Sequence, residues 1–161
     1  MERLWTPWRM EYIKAARSED QPDCIFCDLP ARDDDETNLI LARSENAFVI
    51  LNVFPYNAGH VMVAPFRHVG EVEDVTDEEL LDVDHLLQRS VSALKEEYAP
   101  QGFNLGINLG QVAGAGIPDH IHWHVVPRWS GDTNFMPVVG QTKVLPELLE
   151  ESYQRLSQRI Q

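Results

Sequence analysis

The stretch His120-Ile121-His122-Trp123-His124-Val125-Val126 contains three of the six histidines in the chain. Successive side chains of an extended strand point to opposite faces of a sheet, so the three histidines would share one face and the apolar residues between them the other. The apolar face would pack on a core, and the opposite face would present a row of imidazoles. The pattern predicts a β-strand over 120–126, stopped by Pro127, that carries the functional groups.

The residues before this row predict a second strand with one bare face. Over 103–110, hydrophobic residues alternate with asparagine and glycine. We expect the hydrophobic side of this strand to lie in the core. The other side carries Asn104, Gly106, Asn108 and Gly110, and its glycines leave room for a ligand or for another backbone.

A long loop joins these two strands. Its ten residues, from Gln111 to His120, exceed what a tight hairpin uses, and loops of this length are often functional or mobile. Gly110, Gly114 and Gly116 allow positive φ angles, which let successive backbone N–H groups converge on an anion. Beside three histidines, the loop is a candidate phosphate cradle.

The rest of the chain predicts an α+β fold. Thr76 and Glu79 have the spacing of a capping box at the start of a long helix. The predicted apolar stripe of that helix consists of Leu80, Val83, Leu87, Val91, Leu94 and Tyr98. Further strands are expected over 39–42, 47–51 and 60–65, and an amphipathic C-terminal helix over 146–160. This order of elements indicates an antiparallel sheet of about five strands with one long and one C-terminal helix.

Length, charge and composition exclude several classes of function. A chain of 161 residues suits one domain, and none of its apolar runs is long enough to span a membrane. Thirteen lysines and arginines against 26 aspartates and glutamates give a net charge of −13, which disfavours nucleic-acid binding. The two cysteines make the cytoplasm the expected compartment.

The cysteines form the second candidate site. In Cys24-Ile25-Phe26-Cys27, the spacing is that of a redox pair or of half a zinc site. The residues that follow, 28–30, contain a proline and suit a metal knuckle better than the helix of a redox motif. The histidine row offers another interpretation, since a His-x-His strand can itself present metal ligands.

The histidine row follows the pattern His-h-His-h-His-h-h, in which h is a hydrophobic residue, and it resembles the signature of the histidine triad (HIT) family. Asn52 and the segment from Gly59 to Pro65 resemble the nucleotide-binding strand pair of that family. The segments 4–9 and 127–135 are similar to its bacterial diadenosine tetraphosphate phosphorylase-like branch. The resemblance extends over nearly the whole chain.

The resemblance implies the architecture of the chain. It implies a single HIT domain over 1–161, composed of an N-terminal arm with the cysteine knuckle (1–37), a catalytic core (38–137) and a C-terminal helix (138–161). HIT proteins dimerise by joining their sheets edge to edge into one extended sheet, so a homodimer is expected.

The resemblance also implies a two-step nucleotidyl hydrolase or transferase that acts on dinucleoside polyphosphates. His122 would attack the α-phosphorus to form a nucleotidyl-histidine, which water or phosphate would then attack. His124 would donate to the phosphate or the leaving group, and His60 would support the site. The implied nucleotide contacts are Asn52, Asn104, Asn108, Gly114, Gly116 and His124.

Related proteins further imply a structural zinc ion held by Cys24, Cys27, His68 and His120. One departure from the family pattern is Ile117, which stands where many relatives carry a serine or threonine that assists the leaving phosphate. Two other functions stay open at this stage. One is a zinc-dependent hydrolase with the histidine row as metal ligands, and the other is a nucleotide-binding or sensing module without significant turnover.

Overall fold

The computed structural model describes residues 24–132 and 147–160. Its helices are α1 (Ile25–Asp28), α2 (Asp77–Tyr98) and α3 (Leu149–Leu156), and single 3-10 turns lie at Val72–Asp74 and Gln111–Ala113. Its strands are β1 (Ile40–Arg43), β2 (Ala47–Leu51), β3 (Val61–Pro65), β4 (Gly102–Ile107) and β5 (Trp123–Arg128). In the described part of the chain, no helix is long and apolar enough to cross a bilayer.

The five strands form one antiparallel sheet in the order β1-β2-β3-β5-β4. Strands β2 and β3 pair along their full length, from Ala47 opposite Pro65 to Leu51 opposite Val61. Strand β5 is inserted between β3 and β4, with Met62 and Gly106 both opposite His124. The predicted α+β class and the antiparallel sheet are confirmed.

The two faces of the sheet have different coverings. One face, which we call the helix face, contributes Val49, Leu51, Val61, Val63 and Val125 to a core with α2 and α3. The opposite face, which we call the histidine face, is apolar over β2 and β3, where the buried Phe26 of α1 packs. Over β5 and β4 the histidine face carries the polar residues of the site, because side chains of paired residues lie on the same side.

Helix α2 begins as the sequence predicts, and its predicted apolar stripe packs on the core except at Leu80. The Thr76 side chain accepts from the N–H of Glu79, whose carboxylate accepts from the N–H of Thr76, so the capping box is present. Glu79 is buried and binds the Arg67 guanidinium through both oxygens, whereas Leu80 is 37% exposed. Glu79 takes the inward position in the first turn, so Leu80, a member of the predicted stripe, does not pack on the core. The buried face of α2 comprises Val83, Leu86, Ser90, Ala93 and Leu94.

Strand β5 begins and ends later than predicted. It starts at Trp123 rather than at His120, and it passes through Pro127 to Arg128. Pro127 is tolerated because β3 pairs with β5 only as far as Val125, so no strand on that side requires a proline N–H. The Pro127 carbonyl accepts a hydrogen bond of 2.8 Å from the Asn57 side chain instead.

Strand β4 is an edge strand, and this corrects the prediction of a buried apolar side. Its hydrophobic residues alternate as expected, yet Leu105 is 51% exposed because the described helices cover the middle of the sheet and not this edge. At the other end of the chain, α3 covers only Leu149–Leu156 of the expected 146–160 helix, with Tyr153, Leu156 and Ile160 buried. Leu148 is its N-cap, so the helix begins later than predicted and also ends earlier. The predicted arm residues 1–23 lie outside the described residues.

Gly59, directly before β3, provides a stability test of the fold. Its φ is +70°, and an added Cβ would lie 2.8 Å from Leu94 Cδ2. We expect Gly59→Ala to lower the free energy of unfolding by about 1–3 kcal/mol in urea denaturation, because an L-residue is strained at this φ. Gly102→Ala is the matched control, since an added Cβ there meets nothing within 4 Å, and we expect it to be near neutral. Equal effects of the two changes would contradict this account.

Candidate active site and metal centre

The histidine face carries two adjoining clusters of functional side chains. The metal cluster consists of Cys24, Cys27, His68 and His120. The triad cluster consists of His60, His122 and His124, and its neighbouring rings lie 5.0–5.1 Å apart. His120 and His122 are two residues apart in the chain, so the two clusters meet there. The structure thus divides the histidine row between two sites.

The donor atoms of the metal cluster converge on one point. Cys24 Sγ lies 3.2 Å from His120 Nδ1, and Cys27 Sγ lies 3.3 Å from His68 Nδ1 and 3.5 Å from His120 Nδ1. A tetrahedral zinc with Zn–S near 2.3 Å and Zn–N near 2.0–2.1 Å requires S···N separations of about 3.5 Å. The four residues therefore fit a zinc ion, with two sulfur and two nitrogen ligands.

The second nitrogen of His120 fixes which nitrogen can bind a metal. His120 Nε2 lies 2.9 Å from the Pro65 carbonyl oxygen, which can only accept, so we assign the proton to Nε2 and a lone pair to Nδ1. Burial lowers the pKa of His120 to about 4, which keeps its imidazole neutral. Burial also raises the pKa of the Cys24 thiol to about 11, so a metal ion must displace its proton on binding.

Among residues 24–132 and 147–160, this cluster is the group of histidines, cysteines and carboxylates whose donor atoms are close enough to hold a metal. His122 and His124 do not belong to it. The histidine row therefore does not act as one three-histidine metal site here, which weighs against the zinc-hydrolase interpretation.

His122 is held as a neutral imidazole with one nitrogen available. Its Nδ1 lies 2.8 Å from the His120 carbonyl oxygen, so we assign the proton to Nδ1 and a lone pair to Nε2. The side chain is 6% exposed, and burial lowers its pKa below the usual value. The Phe26 ring packs against it at 4.6 Å between centroids. A neutral imidazole with a fixed ring and a free lone pair is a competent nucleophile.

His60 and His124 form a second hydrogen-bonded pair with a defined direction. The backbone N–H of Tyr56 donates to His60 Nδ1 over 3.0 Å, so His60 carries its proton on Nε2. That Nε2–H donates to His124 Nδ1, also over 3.0 Å. Neutral His124 must therefore hold its own proton on Nε2, which lies 3.5 Å from the Asn108 side-chain amide, and because two donors cannot bond we assign this amide with its Oδ1 turned towards the N–H. The pair presents an N–H donor beside the His122 imidazole.

Of the asparagines predicted to contact the nucleotide, Asn52 and Asn108 lie beside the triad cluster, and Asn104 lies further away. Asn52 lies at the site, with its Oδ1 bonded to the N–H of Phe54 and its Nδ2 3.4 Å from His60 Nδ1. Asn108 is beside His124, whereas Asn104 lies further along β4 and accepts from the Arg128 guanidinium. The structure therefore does not bring Asn104 to the histidines.

Two of the three glycines named for the loop have positive φ angles. Gly110 has φ +75° and Gly114 has φ +97°. Gly116 is not in the positive-φ region. Two functional neighbours were missed in the sequence, Tyr56 and Phe26. The Pro-Tyr before the Gly-His pair and the aromatic residue within the Cys-x-x-Cys motif are the signals that could have identified them.

Two arginines close in the chain to the site histidines are paired with carboxylates. Arg67 is paired with Glu79, and Arg128 binds the Asp132 carboxylate, whose pKa it holds well below the usual range. A phosphate bound among residues 24–132 and 147–160 would therefore meet imidazoles, asparagine amides and backbone N–H groups.

Removal of one sulfur ligand tests the metal centre. We expect Cys24→Ser to lose bound zinc and to lower the melting temperature, because a structural metal contributes folding free energy directly. Zinc content by mass spectrometry and unfolding by calorimetry provide the measurements. His85→Asn, a change at an exposed histidine on α2, is the control and should retain both properties. Full zinc content in Cys24→Ser would contradict the assignment.

The lowered pKa of His122 predicts that its imidazole stays neutral to a lower pH than an exposed histidine does. Burial disfavours the imidazolium, so the folded pKa lies below 6.5 and the neutral nucleophile persists below the pH at which an exposed histidine is half protonated. We expect the acid-side titration of His122, followed by ¹⁵N NMR of the labelled ring, to have its midpoint below 6.5, with the proton on Nδ1 at neutral pH. A midpoint above 6.5 would overturn the assignment.

Comparison with known proteins agrees with this geometry. The HIT domain model matches residues 34–131. The AP-4-A phosphorylase of Mycobacterium tuberculosis is 41% identical over 163 residues, which cover 98% of this chain and 83% of that protein. The bis(5'-adenosyl)-triphosphatase of Dictyostelium discoideum is 36% identical over 55% of this chain and 59% of its own length. A Zn-bound histidine triad family protein from Mycobacterium smegmatis superposes with a TM-score of 0.68 at 29% identity, over 85% of this chain and 92% of that one. The chain belongs to the histidine triad family.

Proposed function

We propose that the protein is an enzyme that cleaves diadenosine polyphosphates through a covalent nucleotidyl-His122 intermediate. The observation that carries the proposal is the fixed state of His122, whose Nδ1 is bound to a carbonyl while its Nε2 stays available. The similarity to relatives named as an AP-4-A phosphorylase and a bis(5'-adenosyl)-triphosphatase supports the substrate class.

In the first step, the Nε2 lone pair of His122 attacks the α-phosphorus of one nucleotide. A P–N bond forms while the bond from phosphorus to the bridging oxygen breaks, and the remaining nucleotide leaves. The Nδ1–H bond to the His120 carbonyl stabilises the positive charge that develops on the His122 ring. The Nε2–H of His124 donates a hydrogen bond to the departing oxygen and stabilises its negative charge while keeping the proton, so the nucleotide leaves as an anion, and His60 holds the His124 ring in position.

In the second step, phosphate or water attacks the nucleotidyl-histidine. The new P–O bond forms as the P–N bond breaks, the electron pair of the broken bond returns to His122 Nε2, and the proton of the attacking group passes to solvent with the product phosphate. Both histidines are thereby restored to their starting neutral states. The same residues therefore serve phosphorolysis and hydrolysis, and the choice depends on which acceptor binds.

We further propose that the nucleotide lies on the histidine face. Asn52 would contact the ribose, and Asn108 together with the loop at Gly114 and Gly116 would contact the phosphates. Asn104, which accepts a hydrogen bond from the Arg128 guanidinium further along β4, stays a predicted nucleotide contact. Cys24, Cys27, His68 and His120 would hold a zinc ion, which when bound cross-links the N-terminal knuckle to β5 as a structural group.

We propose that the homodimer predicted from the sequence forms through β4, because this strand lies at the edge of the sheet. An edge strand with an exposed leucine at position 105 offers unpaired backbone groups and an apolar side chain to a second copy. The cytoplasmic location stays a prediction from the cysteine content.

Product analysis tests the proposed function. We expect diadenosine tetraphosphate with inorganic phosphate to yield ATP and ADP if phosphate is the acceptor, whereas ATP and AMP with or without phosphate would identify a hydrolase. Products separated by ion-exchange chromatography provide the measurement. Binding of the dinucleotide without turnover in either buffer would refute the enzyme and favour a nucleotide-binding module.

The covalent intermediate has its own control. We expect a mass increase equal to one adenylyl group on the protein when the reaction is quenched in alkali before the acceptor is added, since phosphoramidates resist base. His122→Asn should show no adduct and lose at least about 10³-fold of the turnover, as expected for removal of a nucleophile. An adduct that persists in His122→Asn would place the nucleophile elsewhere.

A further inference from the structure

We propose that the leaving nucleotide crosses β4 at Gly106, and that this glycine makes the site permissive for large leaving groups. The inference rests on the proposed function and adds to it the path taken by the second half of the substrate. It concerns the side of the triad cluster opposite His60.

The sheet register places Gly106 directly beside His124, which donates a hydrogen bond to the leaving oxygen. Gly106 is paired with His124 across β4 and β5, so a side chain at position 106 would stand next to the imidazole on the histidine face. A Cβ added at Gly106 meets no atom within 4 Å, and the residue is exposed. The histidine face therefore has open space beside His124 on the β4 side.

The direction of the His124 proton points to the same side. On the β3 side the Nδ1 of His124 is occupied by His60 at 3.0 Å. On the other side Nε2 faces Asn108, which follows β4 in the chain. A leaving oxygen that accepts a hydrogen bond from this Nε2–H therefore lies on the β4 side, and we place the group attached to that oxygen over Gly106, where no side chain obstructs it.

Neither conformation nor packing requires a glycine at position 106. Gly59 has a positive φ and would clash if it carried a side chain, and a Cβ at Gly70 would lie 3.2 Å from backbone atoms of residues 118 and 119. Gly106 has no positive φ and no close neighbour. A glycine inside a strand weakens the strand, so the space that it leaves is the feature that accounts for it.

The substrate class follows from the width of this opening. A diadenosine polyphosphate releases a nucleoside polyphosphate, which is a long chain that must pass the residue beside His124. An adenosine 5'-phosphoramidate places the same AMP half on His122 but releases only ammonia. A side chain at position 106 should therefore obstruct the first substrate and spare the second.

The test compares the two substrates in the wild type, Gly106→Ala and Gly106→Val. We expect Gly106→Val to lower kcat/KM for diadenosine tetraphosphate by about tenfold or more, since small displacements of reacting groups have effects of this size. For the phosphoramidate we expect a change of less than about twofold. Gly106→Ala should fall between the wild type and the valine variant for the dinucleotide.

Gly102→Val is the matched control. It adds the same side chain to the same face of β4, also into open space, but opposite Arg128 and four residues from the His124 register position. It should leave the ratio of the two kcat/KM values near that of the wild type. Thermal unfolding and the mass in solution establish that each variant keeps the fold and assembly of the wild type, and valine favours a strand.

Three results would overturn the inference. They are an unchanged substrate ratio in Gly106→Val, an equal loss for both substrates, and an equal effect of Gly102→Val. Wild-type protein that turns over neither substrate would instead refute the proposed function, and the inference with it.

Discussion

The backbone and side chain of His120 form the junction on which both clusters depend. Its Nε2–H is held by the Pro65 carbonyl, which turns Nδ1 towards the Cys24 sulfur. Its own carbonyl accepts a hydrogen bond from His122 Nδ1, which leaves the lone pair of that ring on Nε2. The ring of Phe26, located between the two cysteines in the chain, packs on both histidines at 5.3 Å and 4.6 Å. A displacement of His120 would therefore disturb the metal cluster and the His122 ring together.

This junction explains why β5 begins at Trp123. The His120 imidazole contacts the cysteine knuckle, and the His120 carbonyl accepts from the next histidine of the row. His120 therefore cannot also form the regular hydrogen bonds of a strand. The N–H of Ile121 likewise bonds to the Val69 carbonyl, in the segment just after His68. The chain enters the sheet only after these contacts, so the first two histidines are placed by tertiary contacts and His124 by the strand.

The parts of the structure that were predictable from the sequence are those that local rules determine. The capping box at Thr76, the hydrophobic runs of β2 and β3, and the alternation within β4 depend on residues a few positions apart. Exposure of Leu105 depends instead on which strand lies at the edge, which the order of the strands decides. The Tyr56 contact that orients His60 is a backbone bond, and side-chain patterns do not encode it. The family resemblance implied the site residues, whereas the histidine tautomers could be assigned only from the hydrogen-bond distances in the structure.

An acidic protein that binds a polyanion must limit repulsion at the site. The ion pairs of the described residues place Arg43 with Asp35, Arg67 with Glu79, and Arg128 with Asp132, so these cations are neutralised by carboxylates of the chain itself. Neutral imidazoles, amides and backbone N–H groups carry no such counter-charge, and their dipoles are fixed before the substrate arrives. Electrostatic stabilisation at the triad cluster therefore depends on the orientation of hydrogen-bond donors, which is why the direction of the Tyr56–His60–His124 chain matters more to the chemistry than the net charge.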